Sequence, residues 1–374
     1  IINFDKKHER NAAKLGMEAS TYQKERAKEH LAFAATQLYM QLQFSCIIPF
    51  YICPVEIDEL LHSFANLLTV LKFEIVIVED GSTISSKNVV TTYKNKLDIS
   101  YYFKANSGPG DSRNFGMKQA KGNYFIILDS DCILPNNYLN AVEKSLKTNY
   151  VDCFGGPDAA HHSFTKLQKA INFSMTSFIT TGGIRGNKKS VDTFQPRSFN
   201  MGISKKAFIT SKGFGQIHPG EDPDLSIRLW NLGFKTRLIP EAFVYHKRRI
   251  SWNKFYIQVN KFGMVRPILN KWHPSTKKIT YWFPTLFCLG FVLAITLLFF
   301  NIKWGILGYL LYFVLAFFTV LLSTKSISVA ILSLIAIVIQ FFGYGYGFLK
   351  STFAIGILNK KPENHFPKLF FKSK

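Results

Sequence analysis

From Phe44 onward the chain alternates short apolar runs with amphipathic stretches. Residues 44–48, 73–78, 100–103 and 124–128 are rich in Ile, Val, Phe and Tyr and are bounded by Pro, Gly, Asp or Asn, a pattern that predicts buried strands. Residues 55–71 repeat apolar positions at helical spacing, and a further helix is predicted to hold Arg113, Asn114 and Gly116. Strands and helices in alternation predict an α/β fold with a mostly parallel sheet covered by helices. Residues 1–40, rich in Lys, Glu, Ala and Gln, predict one or two surface helices with no assigned role.

The last quarter follows a different pattern. Residues 281–300, 304–322 and 327–349 are apolar stretches, each near the roughly 20 residues that span a bilayer. Lys303 and Lys325, between the stretches, are the only charges from Tyr281 to Leu349, and none of the stretches has the polar face of a soluble core helix, so C-terminal transmembrane helices are expected. Gly343-Tyr-Gly-Tyr-Gly347 makes the third stretch the weakest candidate. Five cysteines without a C-x-x-C pair fit buried thiols in a reducing compartment.

Charge sharpens the membrane picture. The 374 residues carry 46 Lys and Arg against 24 Asp and Glu, a formal charge of +22. Between Lys235 and Lys278 stand 11 basic residues against one acid, Glu241, directly before the first apolar stretch. Such a belt marks the cytoplasmic flank of a span and attracts anionic lipids. No nucleic-acid module accompanies it, so nucleic acid is not an expected partner. The tail, with Lys350, Lys360, Lys361, Lys368, Lys372 and Lys374, is basic too. Both flanks belong in the cytoplasm, which three full passes cannot satisfy; the Gly-rich third stretch is therefore expected to be re-entrant, interfacial or split into two short passes. The organisation expected is a helical extension over 1–40, a catalytic domain over 41–245 and a basic membrane-interface segment over 246–280. A transmembrane region of two to four passes over 281–349 and a basic cytoplasmic tail over 350–374 follow.

Candidate chemistry centres on residues 124–132, where an apolar run breaks into Asp129-Ser130-Asp131. Ligands of open α/β sheets bind at the C-terminal ends of strands. Carboxylates one residue apart there suit Mg²⁺ or Mn²⁺, and both ions bridge phosphates. Taken alone, Asp-x-Asp reads better as a solvated turn after a strand. Two further strand ends bring Tyr51 and Asp80 toward the same edge, with glycine-rich turns leaving room for a ligand.

Five segments in consistent order then carry a resemblance. Cys46-Ile-Ile-Pro-Phe-Tyr51, Val76-Ile-Val-Glu-Asp-Gly-Ser-Thr83, Asn106-Ser-Gly-Pro-Gly-Asp-Ser-Arg-Asn-Phe-Gly116, Leu128-Asp-Ser-Asp131 and Gly220-Glu-Asp-Pro-Asp-Leu-Ser226 resemble the inverting family 2 glycosyltransferases of the GT-A fold, in their membrane-anchored bacterial form. The resemblance implies a nucleotide-sugar donor, with UDP favoured, and a lipid-linked or growing glycan acceptor. It also implies a Mn²⁺ or Mg²⁺ cofactor and residence in the cytoplasmic (inner) membrane with the catalytic domain inside. Pro49 and Tyr51 would wall the nucleotide pocket, Asp80 would accept from the base, and Asp129 would face the ribose or diphosphate. Arg113 is of the right type to pair with a phosphate, and Asp131 would hold the metal. His246 stands where a further metal or diphosphate ligand can sit, and also reads as part of the basic belt. Asp222 would be the general base, with Glu221 on the acceptor side; Glu221 and Asp224 fit a helix N-terminus as well. The glycine-rich loop Thr181-Gly-Gly-Ile-Arg-Gly186, whose Gly182, Gly183 and Arg185 fall on the acceptor side, reads as a mobile loop closing on the donor or equally as a plain surface loop.

Three positions depart from the family's pattern. Ile52 stands where Asn is common after the Tyr, and Glu79 and Ile84 stand where Asp is frequent. All three flank the nucleotide pocket. Gln258-Val-Asn-Lys-Phe262 only echoes the Gln-x-x-Arg-Trp of processive synthases, which favours single transfers. A processive synthase and an inactive scaffold of the same fold are the alternatives.

Overall fold

The computed structural model describes residues 16–17, 20–26, 41–159, 164–181, 194–246 and 251–371. Its strands are β1 (Phe44–Phe50), β2 (Phe73–Asp80), β3 (Ile99–Lys104), β4 (Tyr124–Leu128), β5 (Cys132–Ile133), β6 (Cys153–Gly155), β7 (Asp158–Ala159), β8 (Asn200–Ser204), β9 (Thr236–Leu238) and β10 (Val244–His246). A seven-stranded sheet runs β3-β2-β1-β4-β8-β6-β9, and β5-β10-β7 form a smaller one. The β1–β2, β2–β3 and β1–β4 pairs are parallel, whereas β8 runs antiparallel to both β4 and β6.

Helices α1 (Pro54–Ala65), α2 (Lys87–Thr92), α3 (Pro109–Gln119), α4 (Tyr138–Thr148), α6 (Lys205–Ser211) and α7 (Glu221–Asn231) surround the sheet, whereas α5 (Lys166–Thr176) packs against the C-terminal apolar helices. Strand alternation divides the core into two layers. Cys46, Ile48, Ile75, Ile77, Ile126 and Leu128 face α1 and α4. Ile47, Val76, Val78, Phe125 and Ile127 face α3, α6 and α7. The long helix expected over 55–71 ends at Ala65 because the next segment is captured elsewhere: Leu68 N–H donates to Asn136 O at 2.8 Å and Leu68 O accepts from Asn140 Nδ2 at 2.7 Å.

The basic segment folds as α8 (Trp252–Trp272), followed by α9 (Phe283–Leu298), α10 (Trp304–Thr324) and α11 (Ile327–Ser351). Three helical stretches, Ile279–Leu298, Trp304–Thr324 and Ile327–Ile357, are long and apolar enough to cross a membrane. A split of the third into two short passes does not occur; the helix is unbroken through its glycines and continues as a π-turn to Ile357. The glycines form a packing seam instead. A methyl on Gly343 would lie 2.7 Å from Val259, and one on Gly347 would lie 2.3 Å from Asn260 O, so the missing side chains let α8 and α11 approach to backbone distance. The two helices run side by side in the same direction, from Phe255 beside Ala336 to Ile268 beside Ala354.

Candidate active site

The ends of β1, β2 and β4 and the start of α7 converge on one cleft, and Arg113 on α3 lies at its centre. Its guanidinium is 4 % exposed and donates to Asp129 Oδ1 at 2.9 Å and to Glu221 Oε1 at 3.0 Å. The Phe214 ring stacks against it. Burial works against its charge, but Asp129, Glu221 and Asp222 hold its pKa above the usual arginine value. The phosphate-pairing role expected of Arg113 therefore meets a guanidinium already shared between two carboxylates.

Each acidic pair gives one member, Asp129 or Glu221, to this arginine. In the strand-end pair Asp131 remains, and β10 pairs with β5 so that His246 sits opposite Cys132. His246 Nε2 lies 3.1 Å from Asp131 Oδ1, and the ligand atoms of Asp131, Cys132 and His246 fall within 4.8 Å of one another. Phe199 stacks on the imidazole with ring centroids 4.8 Å apart. Burial pushes the Cys132 thiol far above its ordinary pKa, with Asp131 and Asp129 adding to it, so the sulfur is a neutral thiol. One carboxylate oxygen and one imidazole nitrogen thus form a mixed donor set whose chemistry would suit Mn²⁺.

In the helix-start pair Asp222 remains. Glu221 is buried, which alone would raise its pKa, but His218 at 2.9 Å and Arg113 outweigh burial and hold the carboxyl well below the usual range. Asp224 is committed too: Arg228 binds one oxygen and His273 Nε2 the other at 2.9 Å. Asp222 is raised by burial and by Glu221, against the lowering effects of Arg113, Arg197 and a hydrogen bond with Ser198. Its Oδ1 is buried with no hydrogen-bond partner among the described residues. Glu221 Oε2 is likewise buried without a partner among the described residues, so what separates the two acids is the direction of their shifts, Glu221 down and Asp222 up, in a helix entered through Gly220 and turned by Pro223.

Asp80 lies at the end of β2, 4 % exposed. Its carboxylate accepts from Lys104 Nζ and Ser107 N–H, each at 3.0 Å, and from Gly108 N–H at 2.9 Å. It clasps the turn into α3, and these bonds take three of its four acceptor positions. Pro49 is buried in β1 beside Val78, while Tyr51 is half exposed at the cleft mouth. Glu79, one of the departures, is fully buried and accepts from Ser86 N–H, Ser85 Oγ and Tyr101 OH, so it braces the β2 loop rather than facing a ligand. Gly182, Gly183 and Arg185 lie outside the described residues. Arg197, Ser198 and His218, which are not among the expected site residues, stand beside the α7 acids; His218 lies three residues before Glu221, whereas Arg197 and Ser198 open the Arg197–Gly202 segment that resembles the family's approach to this helix.

Residues 45–209 match the family model described as glycosyl transferase family 2. TarS of Staphylococcus aureus, a poly(ribitol-phosphate) beta-N-acetylglucosaminyltransferase, is 34% identical over 131 residues, 34% of this chain and 21% of that protein. An uncharacterized glycosyltransferase of Rickettsia conorii is 31% identical over 152 residues, covering 40% of this chain and 24% of its own length. The chain thus matches about a fifth to a quarter of the length of these two relatives. Among solved structures, the Pyrobaculum calidifontis mannosyltransferase PcManGT in complex with GDP-Man and Mn²⁺ superposes with a TM-score of 0.52 at 14% identity, over 89% of this chain and 94% of that one, a likeness in fold. With the strand-end acids, the glycine turns and the α7 acids in place around this sheet, residues 45–209 are a glycosyl transferase family 2 domain with the GT-A architecture.

Proposed function

We propose that the protein transfers one sugar from a nucleotide-diphosphate sugar, with UDP-sugars favoured, to a lipid-linked or growing glycan acceptor, inverting the anomeric centre. The observation that carries this reading is the division of labour around Arg113, which leaves Asp131 beside His246 on one side and the bare oxygen of Asp222 on the other. The acceptor hydroxyl gives its proton to Asp222 as its oxygen bonds to the anomeric carbon, and the carbon–diphosphate bond breaks on the opposite face. Asp131 and His246 would hold a Mn²⁺ or Mg²⁺ ion, which when bound neutralises the leaving diphosphate. Pro49, Tyr51 and the Asp80 turn would enclose the nucleotide, and Asp129, fixed by Arg113, would face its ribose or diphosphate. A nucleotide-sugar panel with full-length protein and Mn²⁺ tests the reading. Metal-dependent transfer or hydrolysis of one donor, lost in Asp131→Ala, is expected; no turnover with any donor would sink it, and long polymers would indicate processive synthesis.

The membrane reading places the catalytic domain on the cytoplasmic face, with α9 and α10 as a two-pass hairpin. Alongside α11 lie α5, through Ala170 and Ile171, and α8, which carries Lys254, Lys261, Arg266 and Lys271. A full crossing by α11 would draw these charges into hydrocarbon, at about 2.5–3.5 kcal/mol each near the centre. Its outward stripe of Ile327, Ile331, Ile335, Val338, Tyr346, Leu349 and Phe353 suits an interfacial helix. Labelling by an impermeant reagent of a cysteine placed at Lys372 in intact cells would overturn this topology; protection until permeabilisation is expected.

A further inference from the structure

The chain returns from its apolar helices to the active site. His218 N–H donates to Leu369 O at 2.8 Å, Phe371 N–H donates to Gln216 O at 3.0 Å, and Ile217 and Phe370 form an antiparallel bridge between them. Ile217 is buried with Val265, Ile268, Phe366 and Leu369, so α8 and the tail grip the loop from two sides. Directly after this bridge the loop delivers the His218–Glu221 contact, and then Asp222.

The same segment also reaches the donor side. The Phe371 ring covers Gly108 so closely that a methyl there would fall 2.2 Å from it, and Gly108 N–H holds Asp80 Oδ2. Gly108 has φ +93°, which a side chain rarely adopts, so the glycine serves both the turn and the ring contact. Between Ser107, Asp111, Asn114, Gln216, His218 and Phe371 a cavity of about 150 Å³ remains.

We propose that the C-terminal segment Phe366–Phe371 is a positioning element of the active site, added as a short strand to Gln216–His218 and seated on Gly108, which fixes the loop bearing Glu221 and Asp222 against the Asp80 turn. Phe371 touches no reacting atom; it acts through Gln216, His218 and Gly108. The segment lies far outside the 45–209 family domain, at the far end of the apolar helices, so the site is completed by the membrane-proximal part of the chain. The kinetic consequence rests on the transferase reading, whereas the positioning itself does not.

The test compares full-length wild type with Phe371→Pro, which removes both the N–H and the ring, and with Phe371→Leu, which keeps the N–H and an apolar side chain. Amide exchange over residues 216–222 is expected to rise at least about tenfold in Phe371→Pro and to stay near wild type in Phe371→Leu. Turnover should fall about tenfold in Phe371→Pro with donor KM within about twofold, the split expected when a base is misplaced and donor binding survives. Unchanged exchange, or faster turnover as from removal of a plug, overturns the proposal. Should wild type transfer no sugar, the transferase reading fails while the exchange arm still decides the positioning. If Phe371→Pro does not fold, Phe371→Ser replaces it: faster exchange at 216–222 supports the proposal and wild-type exchange overturns it.

Discussion

The strand-end pair Asp129/Asp131 and the helix-start pair Glu221/Asp222 are built alike and fall under opposite electrostatic control. In each pair Arg113 takes one member, Asp129 or Glu221, and the other member stands in different surroundings. Asp131 stays beside a histidine, in a setting that rewards a bound cation. Asp222 keeps an oxygen without a donor and sits against the negative charge of Glu221, in a setting that raises its affinity for a proton. Two adjacent acids acquire different duties because their neighbours differ, not their chemistry.

The sharpest way to separate the pairs is Asp222→Asn. As the proposed base it should lose about three orders of magnitude in turnover while Mn²⁺-dependent nucleotide binding, measured by thermal shift, stays near wild type. An Asn variant retaining a large share of transfer would move the base elsewhere. Removing the shared partner should instead damage both pairs: Arg113→Met leaves Asp129 and Glu221 without their cation, at a cost of about 3–5 kcal/mol in unfolding free energy. A loss below about 1 kcal/mol in denaturant melts would show that the bridge is not structural.

A finer probe is the pH profile of Glu221→Gln. The charged groups acting on Asp222 are Glu221, Arg113 and Arg197. Turnover requires ionised Asp222, so wild-type kcat should fall as pH drops through its raised pKa. Gln removes the like charge and frees Arg113, and both changes favour the carboxylate, so the acid limb should move to lower pH. A limb that stays put or moves up contradicts the coupling. Stability carries the opposite sign. Glu221's depressed pKa contributes stability present above its unfolded value of about 4.3, lost as pH falls toward its folded value of about 2. Glu221→Gln should therefore be less stable than wild type at neutral pH and converge with it in acid.

The strands of the sheet were legible because local pattern and final place coincide there: β1, β2 and β4 are apolar runs that end at or next to Tyr51, Asp80 and Asp129. What was not legible depended on distant partners. Arg113 has the residue type of a phosphate binder, yet its carboxylates lie 16 and 108 positions away. The Gly343–Gly347 run looks like a helix breaker in isolation, and only the presence of α8 turns it into a seam. The tail carries no motif at all, because its contribution is backbone pairing to Gln216 and His218.

The smallest expected effect lies at the rim of the donor side, where sequence and backbone disagree. Ile52 has φ +50°, a left-handed conformation that a β-branched residue adopts only under strain. It is held there by the hydrogen bond from its N–H to Ser82 Oγ at 2.9 Å, which ties the β1 exit to the β2 loop. Asn, common at this place in the family the chain resembles, tolerates that region because its short amide bonds locally. Ile52→Asn should therefore relieve about 1 kcal/mol, read as a rise in melting temperature, and because the strand ends keep their tie, donor KM should change little. The half-buried Ile52 side chain opposes this gain through lost apolar contact, so the sign of the shift decides which term is larger. A lowered melting temperature would mean that its packing outweighs the strain.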